Sequence, residues 1–267
     1  MLSLAVGSPL AQAQWTQPSG AGWVQVAGYR HVTSSGFGPG GRIDPFFADG
    51  RARTSSVYLT AAYGLYRGFD AWAQVPIHHL IFENAAGRRE RLGVGDPRLY
   101  LRMSPALIGK NLPVALRAGV KLPGGDFPVD AEIIPLGEGQ RDWELLLELG
   151  HSFYPRPVYV AGWVGHRWRE INQDAARKPG DEWFAFASAG GRRGAFVWKL
   201  IVEGWTGGRP VIQGIVLPSG RQEMLQVLPS VGWDVGPGIV EVGIRAPLAG
   251  RNLPAGPAGV VGIFVGW

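Results

Sequence analysis

The chain has 267 residues with no cysteine, 41 glycines, 11 tryptophans and a formal net charge of +5. Glycine stands at about twice its usual share of ~7%, and mean hydropathy is close to zero at +0.02. No run of about 18 apolar residues is present to build a membrane helix, so a helical membrane protein is excluded. The length suits one closed domain, and the absence of cysteine is compatible with export into an oxidising compartment.

Leu2 to Leu10 form a mildly apolar stretch followed by Ala11-Gln12-Ala13, a small-residue site of the kind signal peptidase cuts. A positively charged start is missing. Residues 1–13 therefore read as the remainder of a secretory signal, and residues 14–267 as a single domain.

From there the chain alternates with a period of two in about twelve segments of the length a tilted membrane strand needs. They fall near 22–31, 54–66, 69–82, 95–105, 112–122, 142–153, 158–169, 182–190, 194–205, 222–235, 239–248 and 257–267. Alternate connections are short: Arg67-Gly68, 106–111, 154–157, 191–193 and 236–238. The others, 32–53, 83–94, 123–141, 170–181, 206–221 and 249–256, are long and rich in glycine, proline and charge. Strict alternation of short and long connections predicts an all-β, closed antiparallel transmembrane β-barrel with periplasmic turns and extracellular loops. A soluble sandwich has no reason to sort its loops this way.

Within the segments the apolar phase reverses at each turn. Leu99 and Leu101 alternate with Arg98, Tyr100 and Arg102, and Leu116 and Val120 with Arg117 and Lys121. Trp143, Leu145, Leu147 and Leu149 oppose Asp142, Glu144 and Glu148, while Leu225, Val227, Val231 and Val235 share one phase, and Val240, Val242 and Ile244 oppose Glu241 and Arg245. Leu99, Leu116, Leu147, Val242 and Val265 are expected to face lipid. Tyr66, Phe69, Phe153, Tyr154, Trp233 and Trp267 gather at the short-turn ends, where an amphipathic ring suits the membrane interface. Pro76 and Pro229 fall inside strands and predict bulges, since each removes a ladder donor. The segments near 22–31 and 182–190 carry no single phase: Trp23 and Tyr29 share a face with Gln25, and the latter segment is aromatic on both faces. The chain ends on Val261, Ile263, Val265 and Trp267 along one face, the pattern of a closing barrel strand, which predicts recognition by the barrel-assembly machinery through Trp267.

Gly93 to Leu99, Gly119 to Asp126, the Trp143 to Phe153 strand and Pro229 to Asn252 with its Ala246-Pro247-Leu248-Ala249-Gly250-Arg251-Asn252 ending resemble the outer-membrane transporter family of the phenol meta-cleavage (MetA) degradation pathway. The resemblance runs from about Trp23 to Trp267. It implies a barrel that passes small, aromatic or otherwise hydrophobic molecules.

No catalytic, cofactor or metal site is predicted. His151 and Ser152 are adjacent, so in a strand they point to opposite faces, and the same holds for His78 and His79. The glycines of 36–41 lie in a loop with no following helix, which argues against a phosphate cradle. The inward row of charge is the candidate functional feature: Arg98, Arg102, Arg117, Lys121, Glu144, Glu148, Arg167, Lys199, Glu203, Glu241 and Arg245. Parity allows a register pairing Lys121 with Glu144 and Arg117 with Glu148, and another pairing Arg98 with Lys121 and Arg102 with Arg117. The first six of these residues would then form a wall with a surplus of two positive charges. Two readings follow: salt-bridged ladders that fill a narrow lumen, or a water-facing wall that favours anions. The basic balance is not a nucleic-acid signature, because much of it sits in connections at Arg51, Arg53, Arg88, Arg89, Arg91, Arg192 and Arg193, where arginines of outer loops can pair with lipopolysaccharide phosphates. The function expected is passive uptake of small molecules, with a packed, partner-binding barrel as the alternative.

Overall fold

The computed structural model describes residues 16–105, 113–124, 127 and 133–267. The expected signal remnant, 1–13, and the whole of the turn 106–111 lie outside them. Twelve strands form the wall: β1 Gly22–Thr33, β2 Arg51–Tyr66, β3 Phe69–Asn84, β4 in two pieces Gly87–Val94 and Arg98–Met103, β5 Val114–Lys121 and β6 Asp142–Ser152. They continue as β7 Val158–Arg169, β8 Glu182–Arg193, β9 Phe196–Gly207, β10 Glu223–Asp234, β11 Ile239–Arg251 and β12 Ala258–Gly266. Each pairs antiparallel with the next, and β1 pairs with β12 from Trp23 opposite Gly266 to His31 opposite Ala258, which closes the ring. Closure leaves no strand edge in the ring, the condition for crossing lipid with strands.

The solvent pattern is inverted. Leu99, Leu116, Leu147 and Val242 are exposed on the outside, and Val265 lies part-exposed on the face of Val261 and Ile263. Asp70, Arg102 and Asp142 on the inside are 0% exposed. An apolar exterior around a charged interior fits a lipid solvent and locates the chain in an outer membrane.

Several expectations change in detail. The predicted loop 83–94 is a hairpin: β3 runs on to Asn84, and Gly87–Val94 pairs with it from Asn84 opposite Gly87 to Ile77 opposite Val94. Its charged residues read as loop, yet the ladder to β3 forms regardless of which faces they occupy. The bulge expected at Pro76 sits in the strand opposite. Val75 and Pro76 face three residues, 95–97, between the pairs Ile77–Val94 and Gln74–Arg98, and the Gly95 N–H reaches the Pro76 carbonyl. Pro229 marks no register shift. The shift in that pair of strands lies between Leu225 and Gln226, opposite the segment from Pro247 to Ala249. The two unphased strands are resolved by their neighbours: Trp23, Gln25 and Tyr29 point inward, as do Glu182, Phe184 and Phe186, while Trp183 faces out.

Both mouths are narrowed. On the short-turn side residues 16–21 enter the bore, where the Gln17 N–H donates to Asp70 Oδ2 at 2.7 Å. On the long-loop side Ser35–Phe37, Ile43–Pro45 and Leu253–Pro254 form a ribbon that seats Phe37 against Met224 of β10.

Candidate functional site: the lumen wall

Every sequence-selected charge projects inward, and the structure divides them into two groups. On β3 to β8 they form a continuous ion-pair network. Its lower tier is Asp70, Arg102, Glu148 and Arg117: Arg102 Nη2 lies 2.6 Å from Asp70 Oδ2 and Arg102 Nη1 3.4 Å from Glu148, which takes Arg117 Nε at 2.7 Å. Aromatic rings fill the gaps. Trp72 lies 4.8 Å from the Arg102 guanidinium, and Arg117 lies 5.0 to 5.2 Å from Trp72, Tyr100 and Trp163. Trp163 in turn stacks on Phe186 at 3.6 Å.

Tyr100 connects the tiers, because its hydroxyl donates to Glu144 at 2.8 Å. Glu144 also holds Arg167 at 2.7 Å and Arg98 at 3.9 Å, and Arg167 reaches Glu182 at 2.5 Å. Glu182 and Asp142 share Arg169, and Asp142 lies 2.8 Å from Lys121 Nζ. Lys121 and Arg169 converge on Glu138, a residue of the loop after β5. Glu138 itself is held at both backbone groups: its N–H donates to Asp96 at 2.9 Å, and its carbonyl accepts from Asn172 at 3.1 Å. Burial opposes ionisation of Glu138, but Arg169 and Lys121 outweigh it and hold the carboxyl well below the usual carboxylate range.

The register explains which pairs were foreseeable. Arg98 does face Lys121 and Arg102 does face Arg117 across β4 and β5. Between β5 and β6 the ladder is two residues away from the expected one: Lys121 faces Asp142, and Glu144 faces Gly119. Lys121 and Glu144 are therefore not partners, whereas Arg117 still reaches Glu148 diagonally. Nor does the wall carry two surplus positive charges. Asp70, Asp96, Glu138, Asp142, Glu182, Arg167 and Arg169 join it, so six cations meet seven carboxylates, a net of −1 when all are ionised. Parity placed Asp142 inside, whereas Asp70, at the start of β3, was not singled out in the sequence. Glu138 lies in a loop and no periodic signal reaches it.

The second group lies on β9 to β11 and is more open. Lys199 pairs with Glu241 at 2.7 Å and Arg245 with Glu203 at 3.4 Å, all four partly exposed inside the bore. Tyr29 and Tyr58 on β1 and β2 share this side, with Arg245 lying 5.4 Å from the Tyr29 ring.

Among histidines, the cross-strand contact of His78 Nδ1 with Ser56 Oγ at 2.7 Å was not visible in sequence, since it depends on the β2–β3 register. It resembles half a nucleophilic pair, but the acid on that side, Asp96, is already committed to Lys121, Gly124 N–H and Glu138 N–H. The arginines expected in connections lie instead at strand ends, Arg51 and Arg53 on β2, Arg88, Arg89 and Arg91 on β4, and Arg192 and Arg193 on β8; Arg53 pairs with Glu83 and Arg88 with Glu90, while Arg192 pairs with Asp234 at the short-turn end, away from the outer leaflet.

No protein-family model and no curated protein matches the sequence. Among solved structures, the COG4313 outer membrane channel from Pseudomonas putida F1 aligns with a TM-score of 0.80 at 17% identity, covering 95% of this chain and 98% of that one. The beta domain of the Bordetella autotransporter BrkA aligns with a TM-score of 0.56 at 10% identity, covering 93% and 100%. At these identities the likeness is one of fold, and the fold is that of outer-membrane barrels.

Proposed function

We propose that this barrel is a passive outer-membrane channel for small molecules, with its path along the β9–β11 side of the bore, completed by β1 and β2. One observation carries the reading. In a closed ring, the inward Tyr29, Tyr58, Lys199, Glu203, Glu241 and Arg245 remain partly exposed, so this side is not filled by side chains. A path between tyrosine rings and a balanced set of charges suits uncharged, aromatic or hydrophobic solutes better than ions. The sequence resemblance to the phenol meta-cleavage transporters supports the same class. The eleven inward charges then act in two ways: those on β3 to β8 hold the wall, and Lys199, Glu203, Glu241 and Arg245 meet the solute. Trp267, whose backbone closes onto Gly22 while its ring stays exposed, is the proposed contact for the assembly machinery.

The packed network on β3 to β8 favours a second reading, a non-conducting barrel. The two are separated by reconstitution into planar bilayers and solute-loaded liposomes. Small discrete conductance and passage of small uncharged solutes are expected. Permeation no greater than in protein-free liposomes would establish the second reading instead.

A further inference from the structure

The ribbon at the outer mouth carries an open pocket of about 330 Å³ lined by Phe37, Phe46, Phe47, Leu253, Pro254 and Asp44 among others. Its size falls at the lower end of small-molecule sites, and its lining is mostly ring and aliphatic surface. Three features show that the lining is held in place. Gly36 leaves room for the Phe46 ring, because a Cβ there would lie 2.9 Å from Phe46 Cε1. Phe46 is steadied by Phe82 of β3 at 6.2 Å. The turn after it places two successive non-glycine residues, Ala48 and Asp49, at φ 54°, a left-handed conformation that costs energy at each. That turn leaves Phe47 92% exposed beside the cavity.

The polar groups are just as informative. Asn252 Nδ2 is committed to the carbonyls of Ser219 and Arg221 at 2.6 and 2.7 Å, so its amide N–H groups are already spent. Asp44 puts a carboxylate beside Gly38, where a Cβ would lie 3.0 Å from Oδ2. A ring-lined cavity with an acid on its rim accepts an uncharged ring and repels one bearing a carboxylate.

We infer that this cavity is a docking subsite for small, uncharged ring compounds above the entrance to the bore; the inference rests on the channel reading and names the solute class it collects. The test uses the full chain in amphipol, with 4-fluorotoluene and 4-fluorobenzoate as probes followed by ¹⁹F NMR. Saturable broadening of 4-fluorotoluene is expected, with 4-fluorobenzoate weaker. Phe47→Ser removes one wall and, because Phe47 is exposed, leaves the fold intact, as heat-modifiable migration checks. It should weaken 4-fluorotoluene binding about tenfold, the scale of losing one ring contact that the bound probe would cover. Asp44→Asn should strengthen 4-fluorobenzoate binding and leave 4-fluorotoluene unchanged. Absence of saturable binding, or equal affinity in wild type and Phe47→Ser, overturns the subsite, as does a 4-fluorobenzoate affinity that Asp44→Asn does not raise. Liposome permeation run in parallel separates the two claims: passage without docking sinks the subsite alone, and docking without passage sinks the channel reading alone.

Discussion

The two sides of this barrel use the same strand pattern for opposite ends. On β3 to β8 most inward charges are sealed against one another and against tryptophan and tyrosine rings, with Arg102 0% and Lys121 2% exposed, while Arg98 at the margin of the network stays partly exposed. On β9 to β11 the pairs Lys199–Glu241 and Arg245–Glu203 stay partly exposed. What separates them is how fully each charge is surrounded, by several partners or, for Arg117 with Glu148, by aromatic rings. Arg102, Glu144 and Lys121 each meet two or more opposite charges from different strands or loops, which is what removal from water requires. Lys199 has a single carboxylate and keeps its water. Both arrangements are built on one closed ring with a single alternation of facing.

The comparison can be broken most directly at Asp70. Asp70→Ala takes from Arg102 its 2.6 Å carboxylate, and should cost about 3 to 5 kcal/mol, the usual penalty for removing one partner of a buried ion pair. Lys199→Met on the open side should cost about 1 kcal/mol or less, as a partly exposed pair contributes little. Urea unfolding in detergent, read by tryptophan fluorescence, checks both; equal losses would erase the distinction between the sides.

The exterior supplies the next largest effect. Leu147 stands on the lipid face directly behind the network, between Leu146 and Glu148, which are buried inside. Leu147→Arg should cost about 2 to 4 kcal/mol at the bilayer midplane. Refolding yield into lipid vesicles is the readout, and an unchanged yield would mean that this face is not in hydrocarbon.

The smallest effect sharpens the comparison by function. Lys199 and Arg245 balance Glu203 and Glu241, so selectivity at low salt should be weak. Changing both glutamates to glutamine leaves two cations on the path and should shift the reversal potential toward anions; changing Lys199 and Arg245 to glutamine should shift it toward cations. Both shifts should shrink as the screening length falls from about 10 Å at 0.1 M salt to about 3 Å at 1 M. Arg117→Gln with Lys121→Gln should instead lower stability with little change in reversal potential. A selectivity change in that double variant alone would move the solute path to β3–β8.

The alternation of Trp143, Leu145, Leu147 and Leu149 with Asp142, Glu144 and Glu148 was enough to fix which way β6 faces, because a strand has only two sides and lipid accepts only one of these sets. The same logic placed the eleven charges inside and identified a closed barrel. Alternation has no information about pairing beyond parity. It allowed Lys121 opposite Glu144 and could not exclude the observed Lys121–Asp142 pair, since both keep charge inward. The aromatic strand β8 had no readable phase until β7 fixed Phe186 against Trp163. Nor could any periodic signal show that Glu138 comes out of a loop to neutralise Lys121 and Arg169, or that Phe46 and Phe47 fold over the mouth. Facing is a local property, set by successive residues and their solvent. Which charges are sealed and which stay exposed depends on register, strand tilt and the return of loops, all of which are decided only when distant segments pack together.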